Sequence, residues 1–279
     1  MKNTPQLSYT VHWLAIVSFL VIFPNTISYG QSELFDVPET FTRADTLRGT
    51  LSPIRTWFDV TYYDLVVSVE PEQKTIEGTN RIYFKVVQEK QPLMQIDLFE
   101  NLAIDQILFG DKALNFTREF NAVFIEIPQQ LQLGSIYFIE VHYSGTPQVA
   151  ENPPWDGGFV WSKDKNQQHW ISVPSQGIGA SIWYPNKDHQ SDEPDSMKIA
   201  CIVPDSLKCV CNGKEAGVTK GPTKTQYDWK ISYPINNYCV ALNIGDYVRF
   251  SDTYESEDKD TLALDYYVLS YNEGKAKQH

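Results

Sequence analysis

Histidine and cysteine are scarce in this 279-residue sequence, and basic residues are outnumbered. The five histidines stand at 12, 142, 169, 189 and 279, and none lies four residues from another. Metal-assisted peptide hydrolysis on a helix takes two histidines one turn apart, with a glutamate beside the first as general base. No HExxH occurs, so these residues cannot build that zinc site. Gly-x-Ser-x-Gly is missing as well, which excludes a nucleophile elbow. The segment Gly177-Ile178-Gly179-Ala180-Ser181 lacks the Lys-Ser/Thr ending of a phosphate loop. Lys and Arg number 23 against 35 Asp and Glu, a formal net charge of −12. An acidic surface of this kind repels phosphate backbones, and nucleic acid is not expected as a partner.

The four cysteines, Cys201, Cys209, Cys211 and Cys239, form no Cys-x-x-Cys pair and have no nearby histidine to complete a structural zinc pattern. They are read as small buried apolar residues with at most one disulfide; three full pairings exist and spacing does not choose among them. Cys209 and Cys211, two apart on an expected strand, face the same side.

One long apolar run occurs, at residues 13–23, and Lys2 is the only charge in the first thirty residues. The run is short for a bilayer span; Pro24 ends it, and Ser28 and Gly30 follow. Residues 1–30 are read as a signal peptide for export, to the periplasm or outside the cell, with an N-terminal membrane anchor as the alternative. Residues 31–55, polar and interrupted by Pro38 and Pro53, are expected to form an extended leader.

The remainder is rich in what strands need. Hydrophobic residues make up 42% and aromatics 13%. Residues 57–70 and 75–87 are dense in Val, Tyr, Ile and Phe around the turn Pro71-Glu72-Gln73-Lys74, a hairpin signal. Alternation continues through Val123, Ile125 and Ile127, then Tyr137, Ile139, Val141 and Tyr143, then Ile199, Cys201 and Val203. Short strands follow at 207–211, 225–233, 238–244 and 262–269, punctuated by Gly, Pro and Asn. No amphipathic helix is expected between residues 56 and 268. The expected fold is all-β, a sandwich or open curved sheet of mostly antiparallel strands with long Pro/Gly/Trp-rich loops. The final residues, 271–279, read as the first turn of a helix.

Two constellations in the long loop at 146–195 bear on chemistry. Asp188-His189-Gln190-Ser191-Asp192-Glu193-Pro194-Asp195 brings carboxylates beside a histidine; a polar turn with Asp caps explains it better than a cation site. Trp155, Trp161, Trp170, Trp183 and Tyr184 have the rings of a glycan-stacking platform, but a seam where loops pack on a sheet or a second domain is the preferred reading.

The segments VAENPPWDGGFVW (149–161), SQGIGASIWYPNKDH (175–189) and SDEPDSM (191–197) resemble the N-terminal domain of the aminopeptidase N family of zinc metallopeptidases. The opening hairpin at 62–86, HYSGTP (142–147), ISYPINNYCVALNIGDY (231–247) and LDYYVL (264–269) resemble further parts of it in the same order. The resemblance covers about residues 55–279 and implies a β-saddle at 56–268 that lies across a thermolysin-like catalytic domain. That domain would begin at 269–279 and is missing from this sequence. The resemblance further implies that the saddle forms one side of the pocket for a peptide's free N-terminus. The family's zinc and its Gly-x-Met-Glu-Asn motif belong to the missing part, so no cofactor is expected in this chain. Gln176, Gly177 and Ile178 fall where the family lines its substrate pocket. Ile178 stands where many members carry Glu or Gln, and an aliphatic side chain accepts no hydrogen bond from an ammonium group. The implied partners are the catalytic domain or its equivalent and, in the whole enzyme, the N-terminus of a peptide substrate. A stand-alone peptide- or glycan-binding module built on the Trp-rich loops is the alternative.

Overall fold

The central strand alternates as the sequence predicts. Tyr63, Leu65, Val67 and Val69 point inward and are fully buried, while Tyr62, Asp64 and Val66 face outward. In the computed structural model, which describes residues 40–89, 91–127, 130–175 and 177–278, this period-two pattern runs through most of the chain. The chain divides at Thr42, and the account that follows concerns Thr42–His279 alone. The signal-peptide reading of residues 1–30 lies outside the described residues.

In chain order the strands are Phe58–Glu70 (β1), Thr75–Val86 (β2), Leu93–Asp97 (β3), Leu102–Phe109 (β4), Lys112–Ala113 (β5), Phe116–Glu119 (β6), Ala122–Glu126 (β7), Ile136–Gly145 (β8), Val160–Lys163 (β9), His169–Ser172 (β10), Ser196–Pro204 (β11), Lys208–Cys211 (β12), Lys214–Lys220 (β13), Lys224–Ile231 (β14), Leu242–Gly245 (β15), Tyr247–Glu255 (β16) and Thr261–Leu269 (β17). Eight form one sheet in the order β13-β14-β11-β1-β2-β8-β4-β5. Smaller sheets have the orders β12-β15-β10-β9 and β3-β7-β6, and β16 pairs with β17. Pairing is antiparallel except between β1 and β11, where Tyr62 lies beside Ser196 and Val67 beside Cys201. The fold is therefore all-β and mostly antiparallel, as expected.

The core fills the space between the large sheet and the smaller ones. Tyr63, Leu65, Ile82, Phe84, Ile139 and Tyr143 come from the large sheet; Ile171, Cys209, Leu242 and Ile244 come from the four-stranded one. The other face of the large sheet is polar. Arg81 pairs with Glu140 and approaches Asp64 at 3.7 Å, and His142 reaches Glu140 at 2.7 Å. Such half-exposed pairs contribute little to stability, on the order of 1 kcal/mol or less each.

The expectation of an extended leader fails from residue 42 onward. Arg43–Gly49 is a helix (α1), and Pro53–Thr56 is a single turn (α2). A capping box starts α1: the Asp45 N–H donates to Thr42 Oγ1 at 3.2 Å, and the Thr42 N–H donates to Asp45 Oδ2 at 2.9 Å. Pro53 opens α2, a position where its missing N–H costs nothing. The fully buried Arg55 fixes both turns to the sheets. Its guanidinium donates to the Arg48 carbonyl at 2.6 Å and to the Leu47 carbonyl at 3.3 Å, and it pairs with Asp97 at the end of β3. The closing residues do turn helical, at Glu273–Ala276 (α3).

Candidate substrate-edge site

The loop after β10 carries Gln176, Gly177 and Ile178. Gln176 lies outside the described residues, and its neighbours are held from four sides. The Gly179 N–H donates to the Ser175 carbonyl at 2.8 Å. Gly177 and Gly179 both have positive φ, +83° and +97°, where a side chain is strained. A Cβ at Gly179 would also lie 2.2 Å from Asp188 Oδ2. That carboxylate accepts from the Ser181 N–H at 3.1 Å and the Ser181 hydroxyl at 2.6 Å, so it ties the loop's end to the segment at 188.

Ile178 is half-buried in a notch at Gly157. A Cβ on Gly157 would fall 2.2 Å from Ile178 Cγ2. The Gly158 N–H donates to the Pro174 carbonyl at 2.9 Å and sets the same two loops side by side. From α1, Arg48 Nη2 donates to the Gly177 carbonyl at 3.0 Å. The turn is thus fixed while Gly177 itself stays exposed. Arg48 and Gly157 are the residues that the sequence reading missed here, and it did not connect Asp188 to this turn. The Thr42–Asp45 capping box and the Gly157-Gly158 pair were the available signals, but nothing local says that either meets residue 177.

Beneath the loop lies a buried polar layer. Lys187, 4% exposed, pairs with Asp192, 6% exposed, and also donates to the Phe58 carbonyl at 2.7 Å. Asp192 accepts from the Val60 N–H at 3.2 Å. Burial pushes the Lys187 ammonium below its usual pKa and the Asp192 carboxyl above its own, and each partner's charge works against that shift. Asp97 is raised to about 6, chiefly by burial, against the pull of Arg55 and of the Asp188 N–H and Gln95 hydrogen bonds. Three buried amides complete the layer: Asn80, Asn186 and Asn237 donate to the carbonyls of Pro185, Tyr184 and Lys187 at 2.8, 2.8 and 2.9 Å. Asp188 therefore caps a backbone N–H, as the polar-turn reading expects, but Asp192 is a buried ion-pair partner rather than a residue of an exposed turn. Among the described residues no group of three His, Cys, Asp or Glu is placed to hold a metal ion. The described residues do not fit a zinc site.

The five aromatic residues of the long loop do not make one surface. Trp183 and Tyr184 are fully buried with ring centroids 4.5 Å apart. Trp161 stacks on Phe159 at 4.9 Å, and Trp170 donates to the Tyr247 hydroxyl at 2.9 Å. Trp155 alone stands out, 86% exposed, next to a groove of about 370 Å³ lined by Pro153, Pro154, Val160, Trp170 and Pro174. The exposed apolar surface here is thus confined to the Trp155 end, because Trp183 packs into the core. A larger concavity of about 740 Å³ lies along the polar side of the large sheet at Ser68, Glu77, Thr79 and His142, and involves none of the predicted site residues.

No protein-family model and no curated protein matches this sequence. Its fold does match solved structures. A variant of a two-domain M1 zinc metallopeptidase bound to L-tryptophan superposes with a TM-score of 0.65 at 18% identity, over 75% of this chain and 47% of the enzyme. The L-arginine-bound form gives 0.66 at 18% identity, over 76% and 48%. The M1 zinc metallopeptidase from Deinococcus radiodurans gives 0.66 at 18%, over 77% and 48%. The likeness is one of fold. It spans about half the length of those enzymes.

Proposed function

We propose that this chain is the non-catalytic, substrate-edge domain of an exported zinc metalloaminopeptidase of the aminopeptidase N type, with a saddle-shaped N-terminal region. The observation that carries the reading is the fold match to half of a two-domain zinc peptidase, joined to the ordered motifs at 149–197. The zinc-bearing half is supplied outside these residues, by adjoining sequence or a separate chain. Gln176, Gly177 and Ile178 line part of the wall around a peptide's free N-terminus. Ile178 adds apolar contact there, and the ammonium group is anchored by carboxylates of the catalytic half. The apolar run at 13–23 supports export.

The test is direct. The purified chain is assayed for bound zinc and for turnover of aminoacyl-anilide substrates. Neither is expected; stoichiometric zinc or turnover by this chain alone refutes the proposal. Joined to a catalytic half, the chain is expected to raise kcat/KM, and Gly177→Val is expected to raise KM. The exposed Trp155 and its groove favour a second reading, a stand-alone peptide-binding module. Saturable quenching of Trp155 fluorescence by short peptides, without any catalytic half, would support that second reading.

A further inference from the structure

The polar face of the eight-stranded sheet forms a trough of about 740 Å³. It crosses five neighbouring strands, β11, β1, β2, β8 and β4, which at ordinary strand spacing span about 19 Å. Its flanks are apolar, with Val66 and Ile202 on one side and Leu114 and Phe116 on the other. Between them the lining is polar and includes Glu77, Thr79, Asp105 and Ser144.

No lysine or arginine lines the trough. Three basic residues on the same face are already occupied: Arg81 pairs with Glu140, Lys224 pairs with Glu70, and Lys198 lies 3.7 Å from Asp228. His142 is committed too. Its Nε2 lies 2.7 Å from Glu140, and a carboxylate only accepts, so Nε2 carries the proton. In the neutral ring Nδ1 then accepts from the Thr79 hydroxyl at 3.2 Å, which leaves the Thr79 oxygen free to accept from a ligand. Glu77 and Asp105 differ from all of these. Both are exposed, and among the described residues neither has an ion pair or a side-chain hydrogen bond.

The spacing of these two carboxylates narrows what they can hold. Glu77 on β2 and Asp105 on β4 are separated by β8, two strand spacings or roughly 10 Å. Side chains on strands stand nearly perpendicular to the sheet, so the carboxylates keep about that separation. One metal ion does not bridge such a gap, and among the described residues no group of three His, Cys, Asp or Glu is placed to hold one. An anion meets only repulsion. The complement is an elongated molecule with positive charge at two points and an apolar chain.

We propose that the trough binds a linear aliphatic polyamine. One ammonium group meets Glu77 and another meets Asp105. The N–H groups between them donate to the hydroxyls of Thr79 and Ser144, and methylenes lie against Val66 and Leu114 at the flanks. This binding needs no second domain.

The test titrates spermidine into the full chain at low salt and follows the amide NMR signals. Saturable shifts are expected at Thr79, Asp105 and Ser144, and the affinity is expected to fall as salt rises. Glu77→Gln and Asp105→Asn are each expected to weaken binding about fivefold. Both residues are exposed, so both variants keep the fold. Glu257→Gln, in the turn between β16 and β17, is expected to change the affinity by less than about twofold. Hexylamine, with one charge on a similar chain, is expected to bind about fivefold more weakly than spermidine. The proposal is overturned by a titration that does not saturate or by shifts spread over other acidic surfaces. It is overturned equally by an affinity that Glu77→Gln and Asp105→Asn leave unmoved, by an equal loss in Glu257→Gln, or by hexylamine matching spermidine.

Discussion

Residues 147–161 and 180–192 both carry proline and tryptophan and show little periodicity, yet they end in opposite places. The first keeps Trp155 in solvent; its backbone is fitted closely at Gly157 and Gly158 and joins β10 only at its end, through Val160 and Trp161. The second buries Trp183, Tyr184, Lys187 and Asp192, and its backbone groups bond to β1, β3 and the buried amides. The difference lies in partners that are distant in sequence. Tyr63 on β1 accepts from the Lys187 N–H at 3.1 Å, and Asp97 on β3 accepts from the Asp188 N–H at 3.0 Å. Residues 147–161 have no comparable set. Composition marks both segments as special; tertiary contacts decide which becomes core and which remains a surface.

That contrast can be broken by substitution. The largest effect is expected at Lys187→Met, which leaves the Asp192 carboxylate buried without its cation. A loss of about 3–5 kcal/mol is expected, read from urea unfolding; a loss under about 1 kcal/mol would show that the buried layer matters no more than the exposed loop.

The pH dependence comes next. With the Asp97 pKa raised from 3.8 to about 6 on folding, the native state holds a proton that the unfolded state gives up. Its contribution to stability is whole below pH 3.8 and is lost as pH rises through about 6. Across that window the change amounts to roughly 3 kcal/mol at most. Half-buried Asp156, lowered by the N–H groups of Asn152 and Glu151, works the other way, with its contribution lost as pH falls through its depressed value. Carbon NMR titration of the Asp97 carboxyl should show a midpoint near 6. An ordinary aspartate value there would remove the distinction.

Gly157→Ala tests the single place where the exposed segment is tightly fitted. With φ at +71° and Ile178 in the way, a cost of about 1–3 kcal/mol is expected. Faster hydrogen exchange should be confined to the Gly179 amide and its turn; unchanged exchange would detach Gly157 from the candidate site. Trp155→Ala should do least, within about 0.5 kcal/mol of the parent, because the ring has little to lose on its exposed side. A larger loss in thermal unfolding would mean that the exposed tryptophan carries structure after all.

Much of the fold was legible in the sequence because strands announce themselves by alternation. Residues 58–70 and 75–86 pair across the expected turn at Pro71-Glu72-Gln73-Lys74. Helix α1 went unread because a seven-residue helix leaves too few turns for a period to show; its start is written in Thr42 and Asp45 instead. At the site, the loop was legible, but its supports were not. Arg48 reaches Gly177 from 129 residues away, and Arg55 reaches Asp97 and the 188 segment. No local rule pairs such distant side chains. The packing seam expected for the aromatic group holds for four of the five rings, but five rings close in sequence carry no statement that Trp155 is the one left in solvent.

The lone parallel pairing of β1 with β11 has a consequence for the order of assembly. Strands β1, β2, β4, β5 and β8 can pair among themselves from residues 58–145, which leaves β1 as an open edge. Its other neighbour begins at Ser196. During synthesis that edge stands uncovered while some fifty further residues emerge, offering its unpaired backbone groups to any strand that arrives first. The seam through the middle of the sheet closes only once Ser196–Pro204 has emerged, and a chain interrupted before it would be prone to clump.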